Sequence, residues 1–345
     1  MRFRDRKILV TGGLGFIGSN LAIRLTDEGA HVVVIDPCVA GCGGNPFNLA
    51  AVRDRVRVVP ESIADRAAVA EAVRECDLVF NLAGEISHIH SMLLPDRDLE
   101  INTLAQLKFL ETCVDVRPGI RIIYAGTRQV YGVPEYLPVD EKHPVNPVDF
   151  NGVHKYAATM YHLMLSRMGR LDSCVIRLTN VYGPRMALDI PCQGFLSTFL
   201  RKSLNGEPLE VFGDGLQLRD PLFVDDAVEA MMRMGEARVL ASRSYNVGGP
   251  EVLTLATIAT LTGLRAGAPP PVFRPFPDER RKIDIGSYHS DWSLIQKELG
   301  WRPFVRFEDG IARTIQYYRE HRAQYLDPSR PDPPCKLDHG RRRNA

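Results

Sequence analysis

Between an apolar pentapeptide, Lys7-Ile-Leu-Val-Thr11, and a stretch with apolar residues at helical spacing (Phe16, Ile17, Leu21, Leu25), the chain reads Thr11-Gly-Gly-Leu-Gly-Phe-Ile-Gly18. No other segment restricts the fold as much. Glycines at 12, 15 and 18 permit a tight strand-to-helix turn, close approach of a ligand to the backbone, and close packing of helix on strand. A helix that starts at such a turn offers free N–H groups and the positive end of its dipole, which together hold an anion. The P-loop alternative is not met, because no Lys-Ser/Thr pair follows Gly18.

The rest of the first half continues the alternation. Strands are expected at His31–Asp36, Val56–Pro60, Asp77–Ala83, Arg121–Gly126 and Ser173–Thr179, with helical stretches near 97–116 and 150–168. Near-continuous apolar strands such as Val32-Val-Val-Ile35 suit a parallel sheet buried on both faces. Repeated strand–helix–strand units with right-handed crossovers give an α/β fold, a Rossmann-type doubly wound parallel sheet. After about Asn180 the pattern breaks, and prolines and glycines interrupt shorter elements: a helix near Phe195–Leu204, a strand Leu209–Phe212, a helix Asp225–Met234, a strand Tyr245–Val247, and a helix Asp291–Leu299 closed by Gly300. The expected organisation is a dinucleotide-binding domain over 1–180, with later contributions near 224–248. A smaller C-terminal substrate-binding lobe follows over 181–326. The Pro-, Asp- and Arg-rich end, 327–345, is expected to be a disordered, solvated tail.

Charge and composition narrow the partners. With 43 basic and 42 acidic residues the net charge is +1, so no overall field draws nucleic acid or an anionic membrane, and an anionic ligand needs a local site. No apolar run approaches the roughly 20 residues of a membrane span. The N-terminus has no signal-peptide apolar region, and a cytoplasmic protein is expected. Seven cysteines, an odd number without a CxxC pair, argue against a disulfide framework. His88 and His90 form an HxH without a third ligand at useful spacing, so no metal is expected.

Asp36 ends the second strand, 24 residues beyond Gly12. An acid there accepts hydrogen bonds from the adenosine ribose and repels a 2′-phosphate, while Pro37 and Cys38 offer no arginine to hold one. NAD is therefore favoured over NADP.

From these residues onward the chain resembles the extended short-chain dehydrogenases/reductases, the NAD-dependent nucleotide-sugar epimerases and dehydratases. Thr11–Gly18 is followed in order by Asn81-Leu-Ala-Gly84, Asn102, Tyr124-Ala-Gly-Thr-Arg-Gln-Val-Tyr-Gly132, Arg177-Leu-Thr-Asn-Val-Tyr-Gly-Pro-Arg185, Phe212-Gly-Asp-Gly215, Arg219-Asp220 and Val224-Asp-Asp226, over roughly residues 7–320. The resemblance implies that Gly12, Gly15, Phe16, Ile17, Gly18 and Asp36 hold NAD, with Ser62 and Ile63 beside the adenine. Leu82, Ala83 and Gly84 would line the pyrophosphate and nicotinamide ribose, with Asn102 counted among the cofactor residues. Thr127 falls where the family keeps its catalytic Ser/Thr, and Lys155 matches the lysine that holds the nicotinamide ribose. Asn180 and Arg219 would contact the substrate diphosphate, with Arg281 and Asp284 in the lobe that closes over it. It further implies a homodimer formed through the helices near 97–116 and 150–168.

One departure matters. The family motif is Tyr-x-x-x-Lys on one helix face, but Asn151 stands where the tyrosine belongs, and an amide is no ordinary proton acceptor. Three readings stay open: another group is the base (Glu85, Tyr131, His88 or His154), the reaction does not begin with hydroxyl oxidation, or the protein binds without turnover. Arg128 and Gln129 replace the Asp-Glu pair of the family's dehydratases, which favours epimerisation over 4,6-dehydration. The expected activity is an NAD-dependent nucleotide-sugar epimerase working through a transient keto-sugar. A dehydratase, a decarboxylase or a catalytically impaired binding protein are the alternatives.

Overall fold

Seven strands pair in parallel: β1 (Lys7–Thr11), β2 (His31–Ile35), β3 (Val56–Val59), β4 (Leu78–Asn81), β5 (Arg121–Thr127), β6 (Asp172–Leu178) and β7 (Ser244–Val247). The computed structural model describes residues 2–190, 194–277 and 281–326; the expected tail at 327–345 lies outside them. Strand order is β7-β6-β5-β4-β1-β2-β3, so the chain leaves β1 toward β2 and β3 and then crosses to β4 on the other side. The topological switch therefore lies between β1 and β4, where open α/β sheets bind their ligands.

Alternation along β1 divides the core. Ile8 and Val10 join an apolar cluster with Val32, Phe80 and Ile176 on one face, whereas Leu9 joins Ile35, Val79 and Ile122 on the other. The first face is covered by α1 (Phe16–Asp27), and the second by α2 (Arg66–Val73). Between β4 and β5 come α3 (His88–Leu93), α4 (Pro95–Leu99), a π turn at Glu100–Leu104 and α5 (Ala105–Val116), so the expected continuous helix over 97–116 is broken. β4 also ends earlier than expected: the Leu82 N–H is shared between the Thr11 carbonyl and hydroxyl, and the Ala83 N–H turns to the same hydroxyl. α6 (Phe150–Arg167) packs on α3, α4 and β6.

Beyond β6 the elements shorten, as the sequence pattern suggested. α7 (Phe195–Leu204), α8 (Val224–Glu236) and α9 (Leu255–Ala266) are joined by two-stranded ribbons such as Leu218–Arg219 with Leu253–Thr254. α8 returns to pack on α1, and β7 completes the large sheet. α2, α9 and the helix Phe307–Glu320 were not apparent in the sequence reading. The five described cysteines at 38, 42, 76, 113 and 174 are free thiols. Among the described residues no helix is long and apolar enough to cross a membrane, and no three metal-ligating side chains gather.

Candidate active site

A cavity of about 790 Å³ opens at the carboxyl ends of the strands, over the switch point. Its first wall is the glycine turn. Gly12 has φ +66°, and a Cβ there would lie 2.8 Å from the Leu82 carbonyl oxygen. A Cβ on Gly18 would lie 2.3 Å from the Gly12 carbonyl oxygen, so this glycine lets α1 sit against the turn. Gly15 caps α1 without a side-chain hydrogen bond, which leaves the helix's first N–H groups facing the cavity. Phe16 and Ile17 line it as well. Asp36 accepts hydrogen bonds from Leu14 N (2.9 Å) and Cys38 N (2.8 Å). Burial pushes its pKa up against these N–H bonds. The carboxylate keeps acceptor capacity beyond these N–H groups for a ribose hydroxyl. Ser62 and Ile63 close this end. Cradle, helix terminus and terminal acid fit a dinucleotide.

The middle of the cavity is formed by Leu82, Ala83, Gly84 and Glu85 after β4. A buried chain of amides holds this loop. Thr11 Oγ1 donates to Asn81 Oδ1, Asn81 Nδ2 donates to Gln106, and Gln106 Nε2 donates to the Ala83 carbonyl, each at 2.7 Å. From the π turn, Asn102 pairs with the Glu85 backbone in both directions, at 3.0 and 3.1 Å. Asn102 is buried and does not line the cavity, so it braces the loop.

Lys155 reaches the same place from α6. Its Nζ would lie 2.8 Å from a Cβ on Gly84, and only a glycine leaves room for it. Desolvation lowers its pKa to about 8, with Asp98 and Glu85 opposing the shift. Four residues earlier, Asn151 Nδ2 donates to Asp98 Oδ2 (2.9 Å) and to the Glu85 carbonyl (3.0 Å). Both donors of the amide are committed. Asp98 is itself buried and binds His154 Nδ1 through its other oxygen at 2.7 Å, which commits His154 to that pair. Tyr131 is also buried, hydrogen-bonded to Asn246 and Arg177, and outside the cavity. The Glu85 carboxylate lines the cavity but lies 3.5 Å from Arg97 and 3.8 Å from His90. His88 lines the cavity too, with Nδ1 3.0 Å from Asp149 Oδ2.

The far end is cationic. Thr127 ends β5, its hydroxyl accepting the Gln129 N–H at 3.1 Å. Next to it Arg128 is buried, donates to Asn180 Oδ1 (3.2 Å) and lies 4.8 Å over the Tyr288 ring. Its Nη1 has no hydrogen-bond partner among the described residues. Arg219 donates to the Leu218 and Gly286 carbonyls, while its buried Nε is unpartnered. Burial and the neighbouring Arg128 lower its pKa to about 10, and Asp284, 3.8 Å away, opposes this only partly. Two desolvated guanidiniums that repel each other, with N–H groups to spare, make an anion site. Asn180 and Arg219 line the cavity, Asp284 stands behind Arg219, and Arg281 is exposed and not part of the lining. Sequence reasoning noted Arg128 only as a lost acid; Asp98 and Asp149 carried no signal, because their partners are distant in sequence.

Residues 8–248 match the model of the NAD dependent epimerase/dehydratase family. The chain is 33% identical over 319 residues to a UDP-glucose 4-epimerase of Mycolicibacterium smegmatis, covering 91% of this chain and 98% of that protein. It is 30% identical to UDP-glucuronic acid decarboxylase 1 of Xenopus tropicalis, covering 99% of this chain and 79% of that one. Among solved structures, the UDP-glucose 4-epimerase of Thermotoga maritima with UDP-glucose superposes with TM-score 0.82 at 29% identity, covering 91% of this chain and 99% of that one. A dTDP-glucose 4,6-dehydratase from Streptomyces venezuelae with NAD bound gives 0.83 at 28% identity, covering 92% and 98%. Fold, cavity and relatives agree: the chain belongs to the NAD-dependent epimerase/dehydratase family.

Proposed function

We propose that the protein is an NAD-dependent nucleotide-sugar epimerase that works through a transient keto-sugar and recycles its cofactor in place. The observation that carries this reading is one cavity running from the glycine turn, past Thr127 and Lys155, to the two guanidiniums of Arg128 and Arg219. NAD, when bound, supplies a reversible acceptor for a carbon-bound hydrogen and its electron pair. Gly12, Gly15, Gly18 and the start of α1 would hold its pyrophosphate, Asp36 its adenosine ribose, and Lys155 the nicotinamide ribose. Asn180, Arg128 and Arg219 would neutralise the substrate diphosphate, and Thr127 would hydrogen-bond the reacting sugar hydroxyl. Elimination is disfavoured because Arg128 is a cation and the Gln129 amide is turned onto Asp149 (2.8 Å), so neither supplies an acid or a base. Incubation with UDP-, GDP-, dTDP- and CDP-sugars, read by chromatography and mass, tests the reading. An isobaric product supports it; a product lighter by water or carbon dioxide, or binding without turnover, overturns it.

A second copy of the chain is the proposed partner. α6 carries a stripe at Phe150, Val153, Ala157, Met160 and Met164 that is exposed or half-buried. Leu99 and Leu104 are exposed on the neighbouring α4 and π turn. Such an apolar stripe is an interface in search of its equal.

A further inference from the structure

We infer that His88, oriented by Asp149, is the proton acceptor that replaces the missing tyrosine. The inference rests on the epimerase reading. Of the four groups open to the role, the structure commits two elsewhere: His154 to Asp98, and Tyr131 to Asn246 and Arg177. Glu85 faces the cavity with Arg97 and His90 beside it, and its backbone is pinned by Asn102. His88 differs from all three. Its ring lines the cavity, it is 36% exposed at the side chain, and its Nε2 makes no hydrogen bond among the described residues.

The other ring nitrogen, Nδ1, is buried beside a carboxylate and has no aligned hydrogen-bond partner among the described residues. Asp149 is buried, caps α6 through Gly152 N (2.7 Å), and takes the Gln129 amide (2.8 Å). Burial raises its pKa, but His88 first, and then the Gly152 and Gln129 donors, keep it below the ordinary value. Asp149 is thus an anion, and its Oδ2 lies 3.0 Å from His88 Nδ1, off the line of a well-formed hydrogen bond. Alignments of this kind often tighten only when substrate is bound. The carboxylate favours the tautomer with hydrogen on Nδ1 and a lone pair on Nε2, as in other histidine bases oriented by an acid. Gln129 links the pair to the reaction centre: its side chain holds Asp149 and its N–H donates to Thr127.

The proton accounting closes. The sugar O–H bond breaks and an N–H bond forms at Nε2, giving an imidazolium whose charge Asp149 balances. The oxygen's electron pair closes the C=O bond as the carbon's hydrogen leaves, with its electron pair, to the oxidised nicotinamide dinucleotide. On the return, the hydrogen comes back with its electron pair to the other face of the carbon, the C=O pair moves to the oxygen, and Nε2 gives that oxygen its proton, so that neutral imidazole is restored.

Two measurements test this. Nitrogen-15 NMR of histidine-labelled protein, with the His88 signal assigned by its loss in H88Q, reports the tautomer without any turnover. The Nδ1–H form is expected in wild type, and D149N should convert it to the Nε2–H form. Turnover of the sugar nucleotide identified by the panel should fall 10²-fold or more in H88Q, within the usual range for general-base catalysis. NAD content and nucleoside-diphosphate binding should be retained. Free imidazole should restore part of the activity of H88A. An Nε2–H tautomer in wild type, or H88Q turnover within threefold of wild type, overturns the assignment of His88 alone. No turnover of any sugar nucleotide by wild type overturns the epimerase reading and the base with it.

Discussion

Lys155 stands in the cavity with its pKa lowered to about 8 by desolvation. Below that pH it is an ammonium that can attract an anionic dinucleotide; as pH rises through it, the charge is lost. NAD affinity should therefore fall as pH is raised from about 7 to 9, and the slope should vanish in Lys155→Met, as measured by fluorescence or calorimetric titration. Bound pyrophosphate favours the charged lysine, so the midpoint should move upward once NAD is present. Arg128 presents the complementary case of a cation that burial disfavours and that no carboxylate pairs directly among the described residues. Charge-assisted hydrogen bonds contribute about 1.5–3 kcal/mol. Arg128→Met should accordingly weaken the best-bound nucleoside diphosphate by roughly 10- to 150-fold with NAD content unchanged. Equal affinity in the variant, measured by calorimetry, would remove Arg128 from the anion site.

At the scale of elements, the loop after β4 depends on a side chain from the π turn. Asn102 makes both of its hydrogen bonds to the backbone of Glu85. Removing it in Asn102→Ala leaves the buried Glu85 N–H unsatisfied, while the Glu85 carbonyl keeps its bond from Asn151, so the cost is about 1–3 kcal/mol for the one orphaned group. Denaturation should show that loss, and amide hydrogen exchange should quicken at residues 84–88 while the β5–β6 core stays protected. The strand–helix alternation, the glycine turn and Asp36 were legible in the sequence because each obeys a local rule: apolar periodicity, φ above zero, or position at a strand end. The brace was not. Asn102 was assigned to the cofactor, but it touches the loop that touches the cavity, and nothing local distinguishes the two roles. The break of the 97–116 helix escaped for the same reason, since a π turn leaves apolar spacing almost unchanged.

For the whole molecule, the exposed stripe on α6 and the neighbouring Leu99 and Leu104 predict a two-fold dimer. Analytical ultracentrifugation should give twice the 38.6 kDa chain mass, and Val153→Glu with Met160→Glu should give the monomer without loss of helical circular dichroism. A wild-type monomer at micromolar concentration would leave the stripe unexplained. The second lobe was the least legible part of the chain. Its strands are two or three residues long and owe their pairing to segments 30 or more residues away, as Leu218–Arg219 does to Leu253–Thr254. Arg219, which the resemblance expects at the diphosphate, lines the cavity, whereas Arg281, expected there on the same ground, is exposed and outside the lining.

The two committed donors of Asn151 also bear on how this chain can change. A tyrosine at 151 restores the family pair in writing, yet it removes the amide that Asp98 relies on and leaves a buried carboxylate oxygen without its donor. Asn151→Tyr alone would thus pass through a less stable protein before any chemistry could be regained. Travel from this site back to a tyrosine-dependent one needs compensation at Asp98 or His154 in the same step. The asparagine thus ties position 151 to Asp98 and the Glu85 loop, and a change at one of them strains the others.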